Sequence, residues 1–136
     1  MIHRLRVRVY YEDVDLGGIV YHANHLRYLE RGRTEALRAG GVAQGRLKAE
    51  TGVTLVVTRL AIDYRAPARF DDLLEVETEA VEVARASALL AQRLMRDGAL
   101  LAAAEVRVAA IDAAGRPVRL PEAVRAALGR HGADDH

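Results

Sequence analysis

Residues 12–30, EDVDLGGIVYHANHLRYLE, bring Asp13, Asp15, Gly17, Gly18, His22, Asn24 and His25 into one short stretch. If the chain enters a helix close to His22 or Ala23, Asp15 lies within reach of that helix's N-terminus. Unpaired backbone N–H groups and the positive end of the helix dipole gather there, and both stabilise negative charge developing on an oxygen. A carboxylate beside such an oxyanion site is the minimum equipment for acyl transfer to water. Asp15 can act as general base on water or attack the acyl carbon itself, and the residues leave the two roles open. Gly17 and Gly18 let the backbone approach a substrate closely.

The same residues have quieter uses. Asp13 and Asp15 ahead of a helix suit caps and turns, and Asn24 suits local hydrogen bonding. His22 and His25 stand three apart, which permits a shared metal, but such pairs commonly face solvent. A D-x-D loop with two histidines lacks the spacing specificity of H-E-x-x-H, so no metal is assigned.

Composition narrows the chemistry further. The chain has no cysteine, which removes disulfides, thiolate catalysis and thiolate-bound zinc. Its one serine, Ser87, has no G-x-S-x-G around it, so a serine nucleophile elbow is not expected. A hydrolase built from these residues would use carboxylate, histidine, water or metal. Twenty basic residues, all arginine except Lys48, are balanced by nineteen acids to a net charge of +1. That balance argues against a nucleic-acid binder, while the arginines remain suited to a phosphate-bearing ligand. No apolar run reaches the roughly 18 to 20 residues of a membrane span, and the N-terminus lacks a signal-peptide pattern, so a soluble cytoplasmic protein is expected.

The elements that must position Asp15 follow from periodicity. Residues 3–11 alternate, with Leu5, Val7 and Val9 on one face and Arg4, Arg6 and Arg8 on the other, as in a half-buried strand. Leu26, Leu29, Ala36 and Leu37 recur at helical spacing, predicting a helix over 23–39 that stops at Gly40-Gly41. Gly32 inside it means either close packing or simple tolerance. A short helix over 42–50 and strands over 53–65, 73–84, 88–96 and 100–112 follow, with Asp97-Gly98 as a hairpin turn. Leu120-Pro121-Glu122 opens a terminal helix reaching about residue 128. One domain over 1–130 and a frayed polar tail over 131–136 are expected. Helices and strands segregated in this order give an α+β fold, one mostly antiparallel sheet packed on one main helix. Such a sheet leaves edges for self-association.

The stretch VRVYYEDVDLGGIVYHANHLRYLERGRTEALRAGG closely resembles the N-terminal signature of the hotdog-fold acyl-CoA thioesterases, in particular the Tol-Pal-associated YbgC type of the 4-hydroxybenzoyl-CoA thioesterase family. TLVVTRLAIDYRAPARFDDLLEVET resembles that family's next strand, loop and strand. The family usually has Thr at the position of Val14 and often Tyr at that of His25. The resemblance implies a curved antiparallel sheet wrapped round the long helix, and two subunits joining their sheets with active sites at the interface. It implies that Asp15 is the catalytic aspartate and that His22 is the motif histidine, its N–H holding the thioester carbonyl. Gly18, Ile19 and Val20 match the loop shaping the pocket, and Tyr21 and Asn24 match neighbouring motif positions. Arg59, Arg65 and Arg69 are candidates for the phosphates of coenzyme A, each equally at home in a structural or solvated role.

The reading is an acyl-CoA thioesterase releasing a free acid and coenzyme A, needing no metal or other cofactor, and working as a homodimer or homotetramer on acyl-CoA or on acyl carrier protein. Its rivals are a hotdog hydratase or dehydratase, which would keep the thioester bond, a non-catalytic acyl-CoA or carrier-protein binding module, and a metal-dependent hydrolase.

Overall fold

The computed structural model describes residues 2–131. In chain order the elements are β1 (His3–Arg8), a 3-10 turn (Tyr11–Asp13), α1 (Asn24–Ala39), α2 (Gln44–Thr51), β2 (Thr54–Tyr64), β3 (Leu73–Val83), β4 (Ser87–Arg96), β5 (Ala99–Ile111), β6 (Pro117–Val118) and α3 (Glu122–Gly129). The long strands form one antiparallel sheet ordered β1-β3-β4-β5-β2, and short β6 pairs with β5. This is the expected α+β arrangement, with α1 packed against β1 and β3 on the sheet's apolar face.

The alternation seen in sequence sets the two faces of the sheet. Leu74, Val76, Thr78 and Ala80 of β3 point into the core with Leu90, Gln92 and Leu94 of β4, and Ala102, Ala104, Val106 and Val108 of β5. The opposite face carries charge: Arg4 reaches Glu75 and Glu77, and Arg93 reaches Glu77 and Glu79. Arg4 is therefore committed to cross-strand pairing rather than simply solvated. Asp97 and Gly98, both at positive φ, join β4 to β5 as a tight hairpin.

The buried stripe of α1 is His25, Tyr28, Leu29, Gly32, Ala36 and Leu37, the spacing of one helical face. Leu26, expected in that stripe, is exposed instead. It lies one residue, about 100° round the helix, from His25, which takes the buried place. Gly32 is there for close approach: a Cβ at this position would stand 2.5 Å from Val76 Cγ1 and 3.1 Å from Thr78 Oγ1. Beneath it a buried polar set is satisfied internally. Gln92 Nε2 donates to the Leu29 carbonyl and to Thr78 Oγ1, both at 2.9 Å, and Arg33 Nη1 donates to Gln92 Oε1 at 3.0 Å.

His131, assigned from sequence to a frayed tail, is buried; its ring nitrogen Nε2 lies 3.0 Å from the Ala36 carbonyl. A register shift in the β3–β4 pairing follows Ala80, and the Ala80 N–H donates to the His131 carbonyl at 2.7 Å. The remainder of the expected tail, 132–136, lies outside the described residues.

Candidate active site

Between β1 and α1 the chain makes a compact hairpin that carries Asp15. Val14 pairs with Val20, the Asp15 N–H donates to the Ile19 carbonyl at 3.0 Å, and the Gly18 N–H donates to the Asp15 carbonyl at 3.0 Å. Gly18 has φ of 74°, the left-handed geometry that lets a three-residue loop close through a glycine bulge. Gly17 serves the side chain: its N–H donates to Asp15 Oδ1 at 2.8 Å, fixing the carboxylate in an Asx turn. A second segment braces the hairpin, since the Val20 N–H donates to the Ala68 carbonyl at 2.8 Å and Ile19 pairs with Arg69. That segment is itself pinned from β4, where Arg96 Nη1 donates to the Pro67 carbonyl at 3.2 Å and to Asp72 Oδ2 at 2.7 Å.

Asp13 has the structural role weighed for it. Its carboxylate accepts from the Tyr10 N–H at 2.8 Å, and its carbonyl accepts from the Tyr21 N–H at 3.0 Å and from Asn24 Nδ2 at 2.9 Å. These bonds tie the 3-10 turn to the entrance of α1. Tyr28, buried below, has no hydrogen-bond partner for its hydroxyl among the described residues. Burial and then the Asp13 carboxylate push its hydroxyl pKa well above the ordinary phenol value, with Arg31 offsetting part of the rise.

The entrance of α1 is tight. The Asn24 N–H donates to the Tyr21 carbonyl at 2.8 Å and the Leu26 N–H to the Ala23 carbonyl at 3.2 Å. Among the described residues the His22 and Ala23 N–H groups have no acceptor, the condition of a helix N-terminus open to an anionic oxygen. The His22 carbonyl, by contrast, is doubly engaged. It accepts from the Tyr64 hydroxyl at 2.7 Å and lies 3.1 Å from His25 Nδ1.

Asp15, Ile19, Val20, His22 and Arg65 line one cavity of about 390 Å³, joined by His25, Tyr64, Ala66 and Pro67. Gly18 stands on the hairpin at its edge, its carbonyl 3.5 Å from the Phe70 N–H. Tyr21 lies outside the lining and rests its ring on that of His22, centroids 4.6 Å apart. Asn24 is engaged with Asp13. Arg69 shares the bracing segment, with its N–H on Asp72 Oδ2 at 2.8 Å. Arg59 is not brought to this cavity: it is exposed in the middle of β2, five residues before Tyr64, roughly 16 Å along a strand. A larger cavity, about 630 Å³, lies between α1, α2 and β2 with Arg33, Thr34, Gln44 and Leu55 in its wall. It contains neither Asp15 nor the helix N-terminus, so the smaller cavity is the chemically equipped one.

His25 and Tyr64 are the residues that sequence reasoning missed. His25 is buried rather than solvent-facing, its ring edge-on to Tyr64 with centroids 4.8 Å apart. Burial lowers its pKa below the ordinary 6.5, partly countered by the neighbouring His22 and Tyr21 carbonyls, and the His22 ring lowers it further. Burial likewise raises the Tyr64 pKa, so the phenol remains a donor. The sequence carries two signals for His25, its spacing of three from His22 and the departure from the family pattern at that position. Among the described residues no three His, Cys, Asp or Glu side chains gather as metal ligands.

Comparison with known proteins gives the family of the chain. Residues 9–128 match the thioesterase-like superfamily. The acyl-CoA thioesterase YbgC of Haemophilus influenzae is 51% identical over 123 residues, 90% of each chain. The acyl-CoA thioester hydrolase YbgC of Escherichia coli is 42% identical over 90% of this chain and 92% of its own. A probable thioesterase from Bartonella henselae, known from its crystal structure, superposes with a TM-score of 0.86 at 34% identity, covering 89% of this chain and all of that one.

Proposed function

The chain belongs to the thioesterase-like superfamily, with the hotdog fold and YbgC-type relatives its sequence resembles, and from that premise we propose how it hydrolyses acyl-CoA to a free acid and coenzyme A. One observation carries the reading: Asp15, its carboxylate held by its own turn, and His22, whose N–H is unengaged just ahead of α1, line a single cavity. The thioester carbonyl accepts from the His22 N–H, which stabilises the oxyanion as the carbon becomes tetrahedral. Asp15 takes the proton of an attacking water, or its oxygen attacks first and water cleaves the resulting anhydride. By the first route the water oxygen enters the acid, the carbon–sulfur bond breaks, and the proton held by Asp15 passes to the departing thiolate; by the second the carbon–sulfur bond breaks as the anhydride forms, and water then divides the anhydride into the free acid and the Asp15 carboxyl, whose proton goes to the thiolate. Arg65, exposed in the cavity wall, is the arginine best placed to meet the negative charge of coenzyme A.

No metal or other cofactor takes part in this scheme. The working unit is a homodimer, and β2 is the edge that suits sheet-to-sheet joining: eleven residues long, paired on one side by β5, and ending at Tyr64 in the cavity. Acyl carrier protein is a second possible carrier of the same thioester. The chain has no helix long and apolar enough to cross a membrane among the described residues.

The test is thiol release from short-chain, long-chain and benzoyl-type acyl-CoA by the wild type and by Asp15→Asn, with a chelator present. Asn keeps the Oδ1 that accepts from Gly17, so the hairpin should survive while turnover falls by about a hundredfold or more. Near wild-type release by the folded variant would remove Asp15 from the mechanism, and loss of wild-type activity on chelation would overturn the metal-free scheme.

A further inference from the structure

The His22 N–H can bind a carbonyl only if the turn that carries it is held still, and the bonds that hold it come largely from side chains. In a regular helix start the His22 carbonyl would accept from the Leu26 N–H four residues on. Here that N–H goes to Ala23, and the His22 carbonyl is left for Tyr64 at 2.7 Å and His25 at 3.1 Å. Tyr64 comes from the far end of β2, 42 residues away in sequence. On the other side of His22, the Tyr21 carbonyl accepts from the Asn24 N–H at 2.8 Å. The peptide planes before and after His22 are thus each anchored through their oxygens. Because a peptide is planar, anchoring the Tyr21 oxygen fixes the direction of the His22 N–H, and anchoring the His22 oxygen fixes that of the Ala23 N–H.

We propose that Tyr64 and His25 are positioning residues for catalysis, clamping the His22 carbonyl, and with it the Ala23 N–H of the same peptide, so that the turn entering α1 holds its unengaged His22 and Ala23 N–H groups toward the thioester carbonyl. The assignment rests on the function proposed above, and goes beyond it by giving work to two side chains that need not touch the reacting atoms. The rings support one another: His25 meets Tyr64 edge-on at 4.8 Å, and His22 meets it edge-on at 6.4 Å. A carbonyl oxygen can only accept, so His25 Nδ1 carries the proton in this contact. Tyr64 is 45% exposed, so its hydroxyl is not placed there merely to satisfy a buried phenol.

The decisive readout is the carbonyl itself. Benzoyl-CoA labelled with ¹³C at the thioester carbonyl, bound to Asp15→Asn to suppress turnover, should show its stretch at lower frequency than in solution. Adding Tyr64→Phe or His25→Phe should reverse part of that lowering, whereas His25→Asn, whose amide can donate from the place of Nδ1, should retain it. With Asp15 intact, Tyr64→Phe should lower kcat about tenfold with KM changed less than about twofold, a smaller loss than deleting a direct oxyanion donor. Tyr64→Phe keeps the ring contacts, and its thermal melt should match the wild type. An undiminished lowering in both Phe variants would overturn the clamp while leaving the carbonyl site standing. No lowering in Asp15→Asn alone would sink the carbonyl site and the clamp with it.

Discussion

At the scale of single residues, His22 divides into a backbone half and a side-chain half that can be separated. Its N–H is open at the helix start, whereas its ring is exposed and lies between Tyr21 and Tyr64. If polarisation of the carbonyl is backbone work, His22→Ala should keep kcat within about tenfold of wild type, because the N–H remains. His22→Pro deletes that N–H at the opening of a helix, where proline is tolerated by the fold. It should cost about 10²–10³ in kcat, the usual range for one oxyanion donor. Steady-state kinetics on the two variants, each shown folded by circular dichroism, checks the division; equal losses would assign the work to the imidazole. Asp15 and Asp13 show why residue type alone was insufficient. Both sit in a D-x-D loop, yet Asp13 spends its carboxylate on the Tyr10 N–H while Asp15 lines the cavity.

At the scale of elements, glycines distinguish packing from propensity. Gly32→Ala gains up to about 1 kcal/mol of helix propensity but drives a methyl to within 2.5 Å of Val76 Cγ1, so net destabilisation of about 1–3 kcal/mol is expected. Gly45→Ala, on the exposed side of α2 with nothing within 4 Å, should stabilise by about 0.5–1 kcal/mol. Urea denaturation of both variants tests the opposed signs. The elements were legible because periodicity is local: β2 to β5 and every helix fall within two residues of the span that alternation or spacing predicts, while β1 stops three residues short of its expected end, ahead of the 3-10 turn at Tyr11. What was illegible depends on contacts between distant segments. Nothing near Tyr64 in sequence indicates that its hydroxyl ends on the His22 carbonyl, and nothing near Ala68 indicates that its carbonyl holds Val20. The glycine pair announced a turn, but the pairing of Val14 with Val20 depends on which residue takes the bulge. Leu26 and His25 exchanged places because hydropathy ranks leucine as the buried partner, while the ring of Tyr64 makes the place suitable for an imidazole.

At the scale of the whole molecule, titratable groups tie stability to pH in two separate windows. His3 and His25 both titrate below the ordinary 6.5 in the folded chain, His3 through burial first and then the neighbouring His131 ring, with Glu35 opposing. The unfolded chain therefore takes up these protons more readily, and folding loses stability as pH falls from about 6.5 toward the lowered values. The carboxylates act later. Burial alone would raise Glu77 and Asp72, but Arg93 and Arg4 around Glu77, and the Arg69 N–H and Arg96 around Asp72, hold both below their ordinary 4.5 and 3.8. Their contribution is complete above those values and disappears as pH falls through the lowered ones. Thermal melts from pH 8 to 3 should show Tm declining in two stages, a shallow one beginning near 6.5 and a steeper one below about 4.5. His3→Gln should flatten the first stage and leave the second, because His3 meets His131 at one end of β1 while the Glu77 and Asp72 pairs lie elsewhere on the sheet and its loops. If the variant instead follows the wild-type curve throughout, the upper window does not belong to His3, and His25 in the wall of the candidate cavity becomes the group that limits stability in mild acid.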